Sequence, residues 1–257
     1  MTALLTAEWR RMVAEMVRYP VDTISAMATM FLIFAGLFYG ARYITNSPIG
    51  SGRLATVVLG YGVWMLMMTA TSDMGWSIQN EAQNGTLEQV MLAPWASVWI
   101  FLVRAVMAIA GFLVPSALVI AGLILLTHVQ FAWSPLALLP VLMVVVTAWG
   151  LGLVVAAVAL VLKRVGQILQ IVQFLLLFVI LAPITTLAGW FWHGVAMVVP
   201  FTAEVALLRQ ILNGGSHPLS WVWIEALVNM VLVFAAGGIL FQGADRLARA
   251  RGILGHY

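Results

Sequence analysis

The chain of 257 residues has no cysteine, a single lysine and very little charge of either sign. Without cysteine there is no disulfide framework and no thiolate metal site. The one lysine, Lys163, follows no glycine-rich loop, so a phosphate-binding loop of the form G-x-x-x-x-G-K-[ST] is absent and the chain is not expected to hydrolyse ATP by itself. The four histidines, His128, His193, His217 and His256, are widely scattered with no H-E-x-x-H pair, and no G-x-S-x-G elbow occurs, so neither a metal nor an enzyme activity finds support. No repeat of 20–50 residues and no low-complexity linker divides the chain. The net charge of +3 is the balance of 12 basic and 9 acidic residues, too thin to point to nucleic acid as a partner.

What the chain has is apolar residues. They make up 63% of it against 8% charged, where a soluble domain averages about 25% charged. That composition implies an all-α polytopic membrane protein, counted in spans of about 20 residues. Charges punctuate the spans. Nineteen uncharged residues separate Asp22 from Arg42 and another 19 separate Arg53 from Asp73. Ala105 to Leu162 runs 58 residues without charge, two spans joined by a turn at Thr127 to Pro135. After Lys163-Arg164, 39 uncharged residues from Val165 to Ala203 hold a fifth span, ending near Gly189, and an aromatic, proline-marked segment. A last span covers about Leu219 to Gly243. Six spans are therefore expected. With both termini on one side, nine Lys and Arg residues lie there and three (Arg42, Arg53 and Arg209) on the other, which predicts cytoplasmic termini.

The first 20 residues do not read as a signal peptide, because they contain Glu8 and Glu15 and lack an apolar core. Leu5, Trp9, Met12, Val13 and Met16 form a helical stripe, with Glu8, Arg11, Glu15 and Arg18 on the other face. This predicts an amphipathic interfacial helix over residues 1–20, with Pro20 turning into the span domain of 21–257.

The most polar run is Glu81 to Pro94, EAQNGTLEQVMLAP. Gly85 breaks the preceding span. Thr86 can serve as N-cap with Gln89 three residues on, a capping box. Glu88 sits in the first turn, where a carboxylate complements the helix dipole. Leu87, Val90 and Met91 make one apolar face, and Pro94 ends the segment. A short capped helix between two spans suits a soluble partner; an ordinary loop with a chance helical turn is the plain alternative.

Inside the spans, ionisable groups point to ion pathways. Asp73, Arg104 and Glu225 all fall near predicted span ends, where a long side chain snorkels cheaply, and no carboxylate is expected near mid-membrane. Gln167, Gln170 and Gln173 recur every third residue of the fifth span, below Phe174 and Phe178; Tyr61, Trp64, Met67 and Met68 lie in the second. Glutamines between helices commonly act as packing glue. The functional reading is a flexible amphipathic pathway through Tyr61, Trp64, Met68, Gln170, Phe174 and Phe178, suited to an elongated or greasy substrate.

Two segments resemble the type-2 membrane permeases of ATP-binding-cassette (ABC) exporters. That family's cytoplasmic segment after the second span typically reads E-x-x-x-G-T-L-E-x-x-x-x-x-P, matched here at Glu81, Gly85, Thr86, Leu87, Glu88 and Pro94, with Ala82 and Gln83 where the family often carries charge. Pro200, Glu204, Arg209, Gly214 and Gly215 fit a second, looser pattern after the fifth span. The resemblance implies a half-size export channel in a bacterial or archaeal cytoplasmic membrane, pairing with a second copy or close paralogue. It implies a separate ATPase subunit carrying ATP and Mg, with no cofactor in this chain. The segment of about 81–94 would then be the coupling helix and about 190–217 an outer cap of short re-entrant helices, where Trp190, Trp192, Trp221 and Trp223 form an aromatic belt. A hydrophobic drug, lipid or glycolipid-like substrate is expected. A glycan exporter permease and an autonomous carrier or channel remain the alternatives.

Overall fold

The computed structural model describes residues 6, 9–10, 13–14, 18–45, 52–91, 97–127, 134–162, 165–181, 190–212 and 220–250. Described residues near the amino terminus are helical, and Trp9, Arg10, Val13 and Ala14 line a shallow groove beside the exposed Trp9 and Val13. The remaining elements are α1 (Pro20–Thr45), α2 (Gly52–Gln83), α3 (Leu87–Met91), α4 (Ser97–Thr127), a 3-10 turn at Pro135–Ala137, α5 (Leu138–Leu162), α6 (Gly166–Leu181), α7 (Trp190–Val198), α8 (Thr202–Leu212) and α9 (Ser220–Ala250). Among the described residues there is no strand, so the protein is all-helical there.

Three stretches are long and apolar enough to cross a membrane: Thr23–Ile44, Pro135–Leu162 and Trp221–Ala248. A fourth counts if the two parts of α4, bent by 41°, are one span. Pro115 explains the bend, since it lacks the amide hydrogen and its ring collides with the preceding turn. These lengths and compositions suggest an integral membrane protein, with fewer qualifying helices than the six expected from charge spacing. The difference has two sources. α2 is 32 residues long, but the side chains of residues 53–56 at its apolar start lie outside the described ones, and its second half carries Ser72, Asp73, Ser77, Gln79, Asn80 and Glu81. α6 is described for only 16 residues, of which Leu169–Ile180 is apolar; the end expected near Gly189 lies outside the described residues.

α5 is the central helix. It packs most extensively on α9 and next on α2, while α2 also holds α4 and α6. At the α5–α9 crossing two glycines meet: a β-carbon on Gly150 would lie 2.6 Å from Phe234 Cα, and one on Gly237 would lie 2.9 Å from the Gly150 carbonyl carbon. Small residues let helix backbones approach closely where lipid supplies no hydrophobic drive between helices. Two main apolar clusters follow. One joins Phe34, Phe38, Tyr61, Trp64, Met67, Leu123, Val144, Leu176 and Phe201 around the first half of α2. The other joins Met74, Ile78, Leu87, Phe101, Leu153, Leu160, Leu169 and Phe241 around its second half. The end of α2, the start of α4, the end of α5, the start of α6 and the end of α9 thus share one end of the bundle.

Candidate functional site

The elbow after α2 is built from its backbone outward. Gly85 takes a left-handed φ of +70° with open space around it, a conformation that costs glycine nothing. The Thr86 amide donates to the Glu81 carbonyl (2.9 Å) and the Gly85 amide to the Ala82 carbonyl (3.2 Å), the paired bonds of a Schellman cap. The Val90 amide then donates to the Thr86 carbonyl, which opens α3. Leu87 is buried in the second cluster beside Ile78 and Phe101, and the half-buried Val90 packs against the same cluster, so the apolar side of the short helix is pinned to the bundle. Gln89 is exposed.

Side chains refine the expected capping box. The Thr86 hydroxyl turns back and donates to Glu81 Oε2. The reason is proximity: the Schellman cap lays Thr86 directly over the last turn of α2, where Glu81 waits. Glu81 Oε1 in turn accepts from Arg104 at 2.8 Å, and the same guanidinium nitrogen donates to Ser77 Oγ at 2.8 Å. Both charged groups are about six-sevenths buried, at 14% exposure each. Arg104, expected only to snorkel, is therefore an internal partner of the motif. The Glu88 side chain and Pro94 lie outside the described residues.

The suggested pathway residues divide between inside and outside. Tyr61 and Trp64 are buried: the Tyr61 hydroxyl bonds to the Met30 carbonyl, and Trp64 Nε1 donates to the Gln173 carbonyl at 3.0 Å. Met68 is half-buried against the same cluster. Gln173 Nε2 donates to Ser72 Oγ at 2.5 Å, fastening α6 to α2 as glue does. Gln170, Phe174 and Phe178 lie on the opposite, exposed face of α6 with Ile171 and Leu175. The two halves of the suggested pathway thus do not face one another within a single chain.

The segment expected as an outer cap is two short helices, α7 and α8, joined at Val199-Pro200-Phe201. Phe201 holds φ +70°, which a bulky residue adopts at a cost of about 1–3 kcal/mol, and is fully buried. Asn229 of α9 donates to the Met197 and Val199 carbonyls at 2.8 and 2.9 Å, tethering the end of α7. His193 Nδ1 lies 3.1 Å from Glu225 Oε1 and stacks edge-on against Trp221. Trp223 is half-buried, and the Trp190 and Trp192 side chains lie outside the described residues. Arg209 caps α6 by donating to the Ile180 carbonyl, as a cation at a helix C-terminus should.

Glu204 departs most from expectation. It is fully buried on α8, accepts from Thr147 Oγ1 of α5 at 2.7 Å, and its second oxygen has no hydrogen-bond partner. α8 lies outside the three candidate spans. Burial pushes the carboxyl up to about 7, against the opposing pull of the Thr147 bond. The sequence gives no sign of this, since only the fold brings Thr147 to position 204. Among the described residues no cluster of three or more His, Asp or Glu could hold a metal ion. No protein-family model matches the chain, and no curated protein matches it.

Proposed function

We propose that the chain is the membrane permease subunit of an ABC exporter. Two copies, or this chain and a close paralogue, form the export channel, and each rests on a separate ATPase subunit that binds ATP and Mg. The observation that carries the reading is the elbow. A glycine-terminated long helix delivers a five-residue helix, anchored inward by Leu87 and exposed at Gln89, between two bundle helices. In this reading α1, α2, α4, α5, α6 and α9 are the six spans, α3 is the coupling helix, and α7 and α8 form the outer cap. The nine-to-three basic count puts α3 and both termini in the cytoplasm. The exposed Ile171, Phe174, Leu175 and Phe178 on α6 suit a hydrophobic drug, lipid or glycolipid at the two-fold axis.

The test is co-purification with the cognate ATPase and ATP-dependent export in vesicles. Glu88→Ala removes a charge that contributes about 0.3–1 kcal/mol to a helix start, too little to unfold the bundle. If Glu88 forms a desolvated pair with the ATPase, its loss costs about 2–5 kcal/mol of binding. Normal yield with loss of the ATPase and of export is the expected result; normal complex and normal export in the variant refute the coupling role of Glu88, and a wild-type chain that neither holds the ATPase nor exports refutes the permease reading. Because the chain lacks cysteine, single cysteines at Ser47, Ser134 and Ser216 should label from outside, and those at Thr6 and Ala250 should not.

One observation favours a second reading. A carboxyl buried as Glu204 is, held by Thr147 of α5 and with its second oxygen unpartnered, suits an autonomous proton-coupled carrier. Transport by the purified chain in liposomes without nucleotide, abolished by Glu204→Gln, would select the carrier over the permease.

A further inference from the structure

Glu81 stands where a carboxylate is least welcome. It lies in the last turn of α2, whose exposed carbonyls carry the negative end of the helix dipole, and that turn holds no basic residue. An acid there is unfavourable unless a cation from elsewhere neutralises it. Arg104 does so from the second turn of α4, inside the bundle rather than at its surface. The pair's contacts with described residues lead to the elbow. One carboxylate oxygen holds Arg104 and the other holds the Thr86 hydroxyl, while the Glu81 backbone carbonyl takes the Thr86 amide. Arg104 also grips Ser77, one turn back along α2, and lies over the Phe101 ring. Phe101 packs in the same cluster as Leu87 of α3.

We propose that Glu81 and Arg104 are a positioning pair, an internal strut that locks α3 to α2 and α4 at once, so that a push on α3 moves both spans instead of flexing the chain at Gly85. This rests on the permease reading. It also gives Glu81 a role distinct from contact with the ATPase, since both of its carboxylate oxygens are engaged within the chain. Gly85 has open space around it and a backbone that bends freely. Without a strut, α3 would be held only by the apolar contacts of Leu87 and Val90, which have no directional bond to fix its angle at Gly85.

The experiment has two readouts on the full-length protein. Spin labels at the exposed positions Gln89 and Val106, introduced as the only cysteines, report the α3–α4 distance in the purified permease without any ATPase. Wild type should give one narrow distribution. Arg104→Gln and the shape-preserving Thr86→Val should broaden it, and Arg104→Lys should restore much of it. In the reconstituted complex Arg104→Gln should keep the ATPase bound and hydrolysing, while substrate exported per ATP falls on the order of tenfold, as for coupled residues in one ion-pair network. A distribution unchanged in Arg104→Gln, or an unchanged export ratio, overturns the proposal. So does loss of the ATPase from Glu81→Gln but not from Arg104→Gln, which would make Glu81 a partner contact. If Arg104→Gln fails to accumulate, Thr86→Val decides by the same two measurements. A wild-type chain that exports nothing with its ATPase sinks the permease reading and the coupling role together, while the distance distribution still reports whether the strut exists.

Discussion

Replacing Gly237 by alanine adds one methyl group at the closest approach of the two most extensively packed helices. Its β-carbon would fall inside the van der Waals surface of the Gly150 carbonyl oxygen and lie 2.9 and 3.2 Å from that residue's carbonyl and α carbons. All three neighbours are backbone, so no rotamer change can relieve them, and α5 and α9 must part by roughly 1 Å. A gap of roughly 0.5–1 Å forfeits about a quarter to a half of each dispersion contact along the seam. Overpacking of this kind costs about 1–3 kcal/mol, and the upper end is expected because both partners are helix backbone. Gly238, the next residue, is the control: a β-carbon there meets nothing within 4 Å. Its alanine variant should be neutral or gain up to about 1 kcal/mol from helix propensity. Helix propensity favours both variants alike, so the two neighbouring substitutions should differ by the overpacking cost, about 1–3 kcal/mol. Denaturation in mixed micelles, followed by fluorescence of the 11 tryptophans, measures the difference. Equal midpoints for Gly237→Ala and Gly238→Ala would refute the backbone crossing.

Gly85→Ala should cost about 1–2 kcal/mol through φ alone, since its surroundings are open, and Gly85→Asn should cost less; equal thermal midpoints for the two would show that the turn is not left-handed. Asn229→Leu strips two carbonyl bonds from the end of α7. It should cost about 1–3 kcal/mol and raise hydrogen exchange over Val195–Val199, and unchanged exchange there argues against the tether. Glu204 titrates at about 7 when folded, above the ordinary 4.5, so the folded state holds its proton longer than the unfolded chain does. The stability this confers is complete below about 4.5 and is lost as pH rises through about 7. Glu204→Gln should flatten that fall, and an unchanged pH profile would mean that the carboxyl is not buried as described.

Features written within five residues of one another were legible in the sequence; those made between helices were not. The turn at Gly85 and the helix that follows could be read from Gly-Thr-Leu-Glu because φ, cap and first turn are local properties of the backbone. Even there the detail changed once the chain folded back. Thr86 is free in the sequence to cap forward toward Gln89, but the left-handed turn brings it over Glu81, and the nearer carboxylate accepts its hydrogen bond. Arg104 is 23 residues beyond Glu81 and looked like a snorkelling charge because nothing local marks a partner on an antiparallel neighbour. Thr147 and Glu204 are farther apart still, and a hydroxyl in an apolar run carries no periodic signal. Gly150 and Gly237 read as ordinary glycines in apolar helices, since what distinguishes Gly237 from Gly238 is only the backbone it faces. The suggested pathway residues show the same limit from the other side. Tyr61, Trp64, Phe174 and Phe178 share a composition that suggests one surface, yet hydrogen bonds from Trp64 and Gln173 turn α2 and the inner side of α6 toward each other. That leaves Phe174 and Phe178 on the exposed face of α6, away from Tyr61 and Trp64. Composition can assign residues to a helix and hydrophobic spacing can assign them to a face, but the face's partner is fixed only by packing.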